Sequence, residues 1–337
     1  MEAPEADSCS ELQEVPQLRR LWLRTARSGG QGTVATEWAA DQAVIYGLGL
    51  GLHETLGFLY TNAPSFASFE RWIVDRIGGP IGTTRIAEVN SAVARARGET
   101  AMPVCPLVPN LEPALGESEL RCWEENGFVV LRGAVPPESC RDAELAIWDF
   151  LTMDPGDPES WYHSTKCEGI MVPLVHHPAF EKNRRAPRIR NAFAQLWGTA
   201  DLQVTIDRGG FNPPERPDWH FPTPGLHWDT SLMLPLSPYL QGILYLTDTP
   251  AEQGAFRCVP GFHLRLETWL ASLPQGADPR TQDLSHEAVP IAGKAGDMVI
   301  WHGALPHGAS ANHGKRPRLV QYIAYRPPET ADDRPWR

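Results

Sequence analysis

Paired cysteines are missing from this sequence. Its six cysteines are scattered over 337 residues and form no Cys-x-x-Cys motif. Zinc ribbons and disulfide-stapled folds depend on closely spaced cysteines. The pattern therefore argues against both classes and favours a reducing compartment.

Clusters of positive charge are missing too. The chain has no block of Lys and Arg, and its formal net charge is -11 at pH 7. Nucleic-acid-binding proteins obtain much of their affinity from a basic surface that neutralises phosphates. We therefore expect no nucleic-acid partner.

Long hydrophobic runs are also missing. The longest candidate, residues 43–52, is interrupted by three glycines and is too short to span a membrane. The first residues are acidic and polar, unlike a signal peptide. The sequence thus predicts a cytoplasmic protein without a membrane partner.

Apolar residues and turn-forming residues are abundant. Hydrophobic residues make up 42% of the chain, which is enough for a core. The 29 glycines and 32 prolines predict many turns between short strands. The length favours one large domain with an extension, or two unequal domains.

The chain divides into three predicted regions. Residues 1–17 are expected to form a flexible tail, residues 18–100 a helical extension with a linker, and residues 115–330 the main domain. Within the extension, an apolar stripe at helical spacing marks three segments. These segments are 37–46, 53–60 and 66–74. The linker is expected in 78–113, which contains Gly-Gly-Pro and several later prolines.

The main domain is predicted to combine flanking helices with many short strands. The helices are expected at 117–125, 136–151 and 186–196. The strands are expected at 127–133, 202–206, 242–247, 255–259, 296–301 and 318–325. Short β-branched runs separated by Gly and Pro indicate a sandwich, barrel or jelly roll and not a parallel α/β sheet. The expected fold class is mainly β with flanking helices.

The tripeptide His227-Trp228-Asp229 is the first chemical motif. On a strand, residues two apart face the same side, so His227 and Asp229 would aim at one point. One imidazole and one carboxylate are two of the three ligands in the facial triad that holds non-heme Fe(II). Because a His-x-Asp pair often arises by chance, this motif needs a second part.

The second part lies downstream. Gly296-Asp297 opens an apolar strand, a turn follows, and His307-Gly308 comes next. Arg318 stands eleven residues after His307, and a guanidinium is the natural bidentate partner of a carboxylate. A co-substrate that chelates iron through a keto acid needs such an anchor at its far end. His302, five residues before His307, is the alternative third ligand.

In this order the motifs resemble the phytanoyl-CoA dioxygenase family of Fe(II)/2-oxoglutarate oxygenases. That family also has a VPGSH-like turn, which is Val259-Pro260-Gly261-Phe262-His263 in this chain. The similarity spans roughly residues 118–328. It implies a double-stranded β-helix (jelly-roll) core, with Fe(II) held by His227, Asp229 and His307. It also implies 2-oxoglutarate anchored by Arg318 and O2 as the oxidant, and it makes ascorbate a candidate reductant.

Two positions depart from the family's pattern. Ala309 stands where a serine often touches the co-substrate, and Ser310 is the candidate replacement. Phe262 replaces the serine of the turn, and His263 is expected to pin this loop through a hydrogen bond.

Loops and strands around the metal motif supply further candidate contacts, because binding residues are often carried on loops. The additional candidates for co-substrate binding are Gln241, Tyr245 and Asn212. The candidates for substrate binding are Arg208, Trp228, Trp161 and His163.

The resemblance implies oxidative decarboxylation of 2-oxoglutarate to succinate and CO2, coupled to hydroxylation or a related C–H oxidation. Asp229 argues against halogenation, because related halogenases carry a small residue there. The expected substrate is a small, polar metabolite or natural-product intermediate, and the oligomeric state is left open. Two alternatives stay open, namely a jelly-roll metal oxygenase that does not use 2-oxoglutarate and a non-catalytic binding protein on the same scaffold.

Overall fold

The computed structural model describes residues 10–28, 35–99, 112–221 and 225–330. Within these ranges the chain forms two compact units. One unit contains the described residues up to 99 together with 199–206 and 326–330, and the other contains 112–198 and 207–325. No helix in the described ranges has both the length and the apolar character needed to cross a bilayer.

The first unit is helical. Its helices are α1 (Pro16–Ser28), α2 (Ala35–Gly47), α3 (Leu52–Asn62), α4 (Phe66–Ile77) and α5 (Thr83–Ala96). The helices predicted at 37–46, 53–60 and 66–74 are confirmed as α2, α3 and α4. Apolar residues four apart, such as Phe69 and Ile73, turn inward and join a buried core. Burying one such side chain stabilises the fold by about 1.5–3 kcal/mol.

The predicted tail is wrong for its described part. Leu12 and Val15 are each 1% exposed and belong to the core of this unit, and α1 begins at Pro16. Two buried apolar side chains hold this segment in place, so it cannot be a flexible tail. Residues 1–9 lie outside the described residues.

The linker predicted within 78–113 does not include residues 83–96, because α5 occupies them. Ile86, Val89 and Val93 recur at helical spacing and are buried. The Gly-Gly-Pro sequence ends α4 and separates it from α5, which is a turn between helices and not a domain linker. Residues 100–111 lie outside the described residues.

The strand predicted at 202–206 belongs to the first unit and not to the main domain. It is shortened to β3 (Gln203–Val204), which pairs with β11 (Tyr325–Arg326). Gln203 Nε2 donates to the Ala43 carbonyl at 3.2 Å. Asp201 pairs with Arg95 at 2.7 Å. The main domain is therefore interrupted in sequence.

The second unit contains the remaining helices and strands. Its helices are α6 (Glu117–Asn126), α7 (Pro137–Leu151), α8 (Pro178–Arg184), α9 (Pro187–Trp197) and α10 (Phe262–Ser272). Its strands are β1 (Phe128–Leu131), β2 (Met171–Val172), β4 (Gly209–Asn212), β5 (Leu240–Tyr245), β6 (Phe256–Cys258), β7 (Val289–Ile291), β8 (Met298–His302), β9 (His307–Ala309) and β10 (Arg318–Tyr322). The sequence predicted α6, α7 and α9 but not α8 or α10.

The strands form two antiparallel sheets. The larger has the order β1-β8-β5-β10-β4-β2 and the smaller the order β7-β6-β9. In the larger sheet Gln241 lies opposite Trp301, and Tyr245 lies opposite Val320. Because side chains alternate along a strand, these residues share one face, and Arg318 lies on the same face two positions from Val320.

The face that carries these residues packs against the smaller sheet. Residues from both sheets join one buried cluster, with Ile243, Val299 and Trp301 from the larger sheet and Phe256 and Cys258 from the smaller. Two antiparallel sheets around a shared core, flanked by helices, confirm the expected jelly-roll fold class.

Candidate metal centre

Three metal-binding side chains converge in the second unit. His227, Asp229 and His307 each offer one ligand atom, and these atoms lie within 4.8 Å of one another. His307 Nε2 is 3.3 Å from Asp229 Oδ2, and His227 Nε2 is 3.6 Å from Asp229 Oδ1. Two imidazoles and one carboxylate on one side of a point form the donor set of a non-heme iron site.

A backbone bridge brings the two histidines together. The amide of His227 donates to the His307 carbonyl at 2.9 Å, and the amide of His307 donates to the His227 carbonyl at 3.0 Å. Gly308 allows this approach, because a Cβ there would lie 3.2 Å from the Gly225 carbonyl oxygen. The strand predicted around His227 is corrected to a single bridge followed by a bend at Asp229.

Trp228 points away from the metal cluster. It is 2% exposed, its indole N–H donates to the Ala304 carbonyl at 2.9 Å, and its ring packs beside Phe262 and Trp269. Its contact with substrate stays a prediction. Trp228 anchors the segment in the core, while its two neighbours in sequence turn toward the cluster.

His307 is held in the tautomer that metal binding requires. Its Nδ1 lies 3.0 Å from the Leu305 carbonyl oxygen, which can only accept, so Nδ1 carries the proton. Nε2 faces Asp229 and donates to that carboxylate when it is protonated, whereas in the neutral ring its lone pair is free to bind a metal. The ring is 5% exposed and packs against Trp301 and Phe256, with centroids 5.0 and 5.9 Å away.

Asp229 is kept ionised. Partial burial alone would raise its pKa, but a hydrogen bond and charge from His307, the charge of His227 and the Gln241 amide together hold the pKa well below its ordinary value. Gln241 Nε2 donates to Asp229 Oδ2 at 2.7 Å. Burial, followed by the charge of His307, lowers the pKa of His227. An anionic carboxylate and a neutral imidazole are the states that bind metal.

Arg318 is suited to hold a carboxylate. The side chain is fully buried, and its Nε and Nη2 atoms have no hydrogen-bond partner among the described residues. A buried guanidinium with unused donors is destabilising unless an anion pairs with it. It lies on the sheet face that also carries Gln241, opposite Asn212. The residues present therefore fit iron together with a dicarboxylate such as 2-oxoglutarate.

The other candidates for co-substrate binding already have partners. The Tyr245 hydroxyl donates to the Ile291 carbonyl at 2.7 Å and accepts from the Phe256 amide at 3.0 Å. The Ser310 hydroxyl donates to the Ala255 carbonyl at 2.7 Å. Both side chains thus brace the smaller sheet, and their contact with co-substrate stays a prediction.

Asn212 keeps one unused polar atom. Its Nδ2 donates to the Ser310 carbonyl at 3.0 Å, but its buried Oδ1 has no partner among the described residues. Opposite Arg318, this amide lies on the sheet face where the expected co-substrate would bind. Its contact with co-substrate also stays a prediction.

The other candidates for substrate binding each have their own surroundings. Trp161 is buried, packs beside Trp148 and donates to the Asp154 carbonyl at 3.0 Å, so its contact with substrate stays a prediction. Arg208 pairs with Glu168 at 3.2 Å and with a neighbouring aspartate. His163 is exposed and comes directly after the short 3-10 helix that contains Trp161.

His302 is not a member of the metal cluster. Its Nδ1 accepts from the Ala304 amide at 3.0 Å, and its ring packs beside those of His263 and Trp123. Burial lowers the pKa of His302 to about 4. His263 Nε2 lies 3.1 Å from the Glu124 carbonyl oxygen, which confirms the loop-pinning hydrogen bond expected for it.

Sequence reasoning missed Arg280. Its two terminal nitrogens donate to the carbonyls of Trp228 and Thr230 at 2.7 and 2.6 Å. No motif marks this arginine, because it lies in a loop some 50 residues from its partners in sequence. Helix α10 was also missed, although Phe262, Leu266 and Trp269 recur at helical spacing and could have predicted it.

Comparison with known proteins extends these findings. The family model of phytanoyl-CoA dioxygenase (PhyH) matches residues 123–320, which is more than half of the chain. A phytanoyl-CoA dioxygenase-like protein of Dictyostelium discoideum is 24% identical over 269 residues, covering 62% of this chain and 75% of its own length. Ectoine dioxygenase of Bordetella parapertussis is 25% identical over 238 residues, with 63% and 75% covered.

Solved structures with a similar arrangement are distant in sequence. HygX from Streptomyces hygroscopicus, with nickel and 2-oxoglutarate bound, aligns with a TM-score of 0.44 and 19% identity. The alignment covers 64% of this chain and 88% of that protein.

Proposed function

The chain belongs to the phytanoyl-CoA dioxygenase family of Fe(II)/2-oxoglutarate-dependent oxygenases, and from this premise we propose that it hydroxylates a small polar molecule. Its iron ligands in this proposal are His227, Asp229 and His307. Arg318 anchors the distal carboxylate of 2-oxoglutarate. The single observation that carries the proposal is the His-Asp-His cluster, whose ligand atoms converge within 4.8 Å.

The chain's own residues prepare the site for its cofactors. Bound iron and 2-oxoglutarate supply the oxidising chemistry with O2. Gln241 orients the Asp229 carboxylate, the Leu305 carbonyl fixes the tautomer of His307, and the unused donors of Arg318 await a carboxylate. Such prior orientation of ligands raises metal affinity and fixes the open coordination positions.

The proposed reaction type rests on the carboxylate ligand, Asp229. Asp229 is a carboxylate, and related halogenases carry a small residue at the equivalent position, so the proposal is hydroxylation or a related C–H oxidation. The sequence relatives of this chain include two proteins named ectoine dioxygenase, each at 25% identity. This relationship supports a small, polar substrate.

The proposal is tested by the visible charge-transfer band of an Fe(II)–2-oxoglutarate chelate in anaerobic protein. We expect the band in the wild type and in His302→Ala, because His302 lies outside the cluster. His307→Ala should lose it. The two histidines are five residues apart on the same stretch of chain, which makes them a matched pair.

Each outcome has a distinct meaning. Bound iron without the band in the wild type would favour a jelly-roll oxygenase that does not use 2-oxoglutarate. Failure to bind iron at all would favour a non-catalytic binding protein. If the band appears, release of succinate during turnover with small polar compounds identifies the substrate.

A further inference from the structure

The backbone around Asp229 lacks the support of a strand. The bridge with His307 ends at His227, and the chain then bends at Asp229 and Thr230. A ligand on such a bend can adopt several backbone conformations unless side chains hold it. The carboxylate itself is 42% exposed, so packing alone does not fix its direction.

Arg280 supplies the missing support. Its Nη1 donates to the Trp228 carbonyl at 2.7 Å, and its Nη2 donates to the Thr230 carbonyl at 2.6 Å. These carbonyls belong to the peptide groups before Asp229 and after Thr230. A planar guanidinium with a rigid fork of donors therefore fixes the backbone on both sides of the carboxylate ligand.

The arginine is itself held in place by its turn. It lies in a short 3-10 helix at Pro279–Thr281, and its amide donates to the Asp278 side chain at 2.9 Å. Pro279 is buried, and the Thr281 hydroxyl donates to the Asp278 carbonyl at 2.9 Å. These two hydrogen bonds lie within the turn and do not involve the metal ligands.

Charge adds to this geometry. Burial of the half-buried Arg280 guanidinium lowers its pKa, and the negative charges of Asp278 and, to a lesser extent, Asp229 oppose this shift and favour the charged form. Asp229 consequently has the Gln241 amide on its carboxylate and a cation beside its backbone.

We propose that Arg280 is a positioning residue for the metal centre, which clamps the two carbonyls around Asp229 and so keeps this carboxylate aimed at the iron. The proposal rests on the proposed function, because it requires a metal at the His227–Asp229–His307 cluster. It adds Arg280 from a separate turn, which acts through the backbone on either side of Asp229 and not as a metal ligand. Outer contacts of this kind typically change metal affinity by about 10–100-fold.

The test is anaerobic titration of the full-length protein with Co(II), followed by calorimetry and by the visible cobalt spectrum. We expect the Co(II) Kd to rise about 10–100-fold in Arg280→Ala, with a changed spectrum. The Co(II) Kd of Arg280→Lys should lie between those of the wild type and Arg280→Ala, because one ammonium group cannot bind two carbonyls in the fixed planar geometry of a guanidinium.

Arg265→Ala is the matched control. Arg265 is a partly exposed arginine that pairs with Glu287 and lies over the Phe262 ring at 4.7 Å, without contacting residues 228–230. Its loss should leave the Co(II) Kd and spectrum unchanged. Thermal unfolding of all variants in EDTA separates an effect on the metal site from an effect on the fold.

The outcomes are distinguishable. A folded Arg280→Ala protein with a Co(II) Kd within about twofold of wild type would overturn the proposal, as would reduced stability in EDTA with unchanged affinity. If Arg280→Ala does not fold, Arg280→Lys decides, and a wild-type Kd and spectrum there count against the clamp. Absence of Co(II) binding by the wild type would overturn the proposed function itself.

Discussion

Arg318 combines full burial with unused hydrogen-bond donors. This combination favours binding of an anionic ligand but lowers the stability of the ligand-free protein. Its Nε and Nη2 atoms lack partners among the described residues. An unpaired buried charge is destabilising, whereas an apolar residue of similar size at such a position is often neutral or stabilising. The residue is therefore better explained by function than by folding.

Arg318→Met should separate these two effects. We expect the 2-oxoglutarate Kd to rise by a factor corresponding to about 2–5 kcal/mol, while the melting temperature of the ligand-free protein stays level or increases. Calorimetric titration and thermal unfolding measure the two quantities. The exposed Arg316→Met is the control and should change neither. A large loss of stability without loss of affinity would show that Arg318 is structural.

At the scale of single elements, the turn before β8 shows how one carboxylate organises a motif. Asp297 accepts from Arg132 Nη1 at 2.6 Å, from the Gly133 amide at 3.0 Å and from the Lys294 amide at 2.9 Å. Burial would raise its pKa, but the two backbone amides and Arg132 outweigh it and lower the pKa. The Gly-Asp sequence of the family is therefore a turn-holding motif in this chain.

Asp297→Asn should destabilise the protein by about 1–3 kcal/mol at neutral pH, because the NH2 group that replaces one carboxylate oxygen would face a backbone N–H donor. A carboxyl group whose pKa is lower in the folded state stabilises the folded protein at pH values above its unfolded-state pKa. This contribution is lost as the pH falls through the folded-state pKa. The difference in the free energy of unfolding between Asp297→Asn and the wild type should thus be largest at neutral pH and become smaller below about pH 4. Urea unfolding at several pH values measures it.

Asp142→Asn is the control for this prediction. Asp142 is exposed and pairs with Lys182 at 3.3 Å. Exposed pairs contribute about 0–1 kcal/mol, so its loss should be small at every pH. Equal effects of the two substitutions would contradict the role assigned to Asp297.

At the scale of the whole molecule, the chain builds its first unit from separate segments. Residues 199–206 and 326–330 group with the N-terminal helices. Gln203 bonds to the Ala43 carbonyl, and Asp201 pairs with Arg95. The N-terminal region is therefore part of a unit to which later sequence contributes.

Removal of residues 1–109 should consequently destabilise the remaining chain. Residues 199–206 would lose these partners and expose a segment that is partly buried in the full chain. We expect a lower melting temperature and more aggregation than in the full-length protein. Arg95→Ala, which breaks a single pair, should cause a much smaller change. An unchanged melting temperature in the truncated protein would contradict this prediction.

Metal binding should raise the stability of the whole molecule. A ligand that binds only the folded state contributes about 2.7 kcal/mol at 100 times its Kd. We expect Fe(II) or Co(II) to raise the melting temperature of wild type and of His302→Ala under anaerobic conditions, and EDTA to reverse this. His307→Ala should show no increase, and an equal increase there would place the metal elsewhere.

The sequence by itself determined the short-range features. The helices at 37–46, 53–60 and 66–74, the β-rich second unit and the His227, Asp229 and His307 motif were all predictable. Helical periodicity depends on residues three and four apart, and metal-binding residue types are recognisable within a motif. Such information is local in the sequence, so it can be recognised without knowledge of the fold.

Only the tertiary structure decided the long-range features. Arg280 reaches carbonyls that precede it by some 50 residues, Trp228 turns into the core, and residues 10–17 pack through Leu12 and Val15. The grouping of residues 199–206 with the first unit is of the same kind. These outcomes depend on which surfaces come into contact when the chain folds. A local sequence pattern does not specify these contacts, because the contacting residues are far apart in sequence.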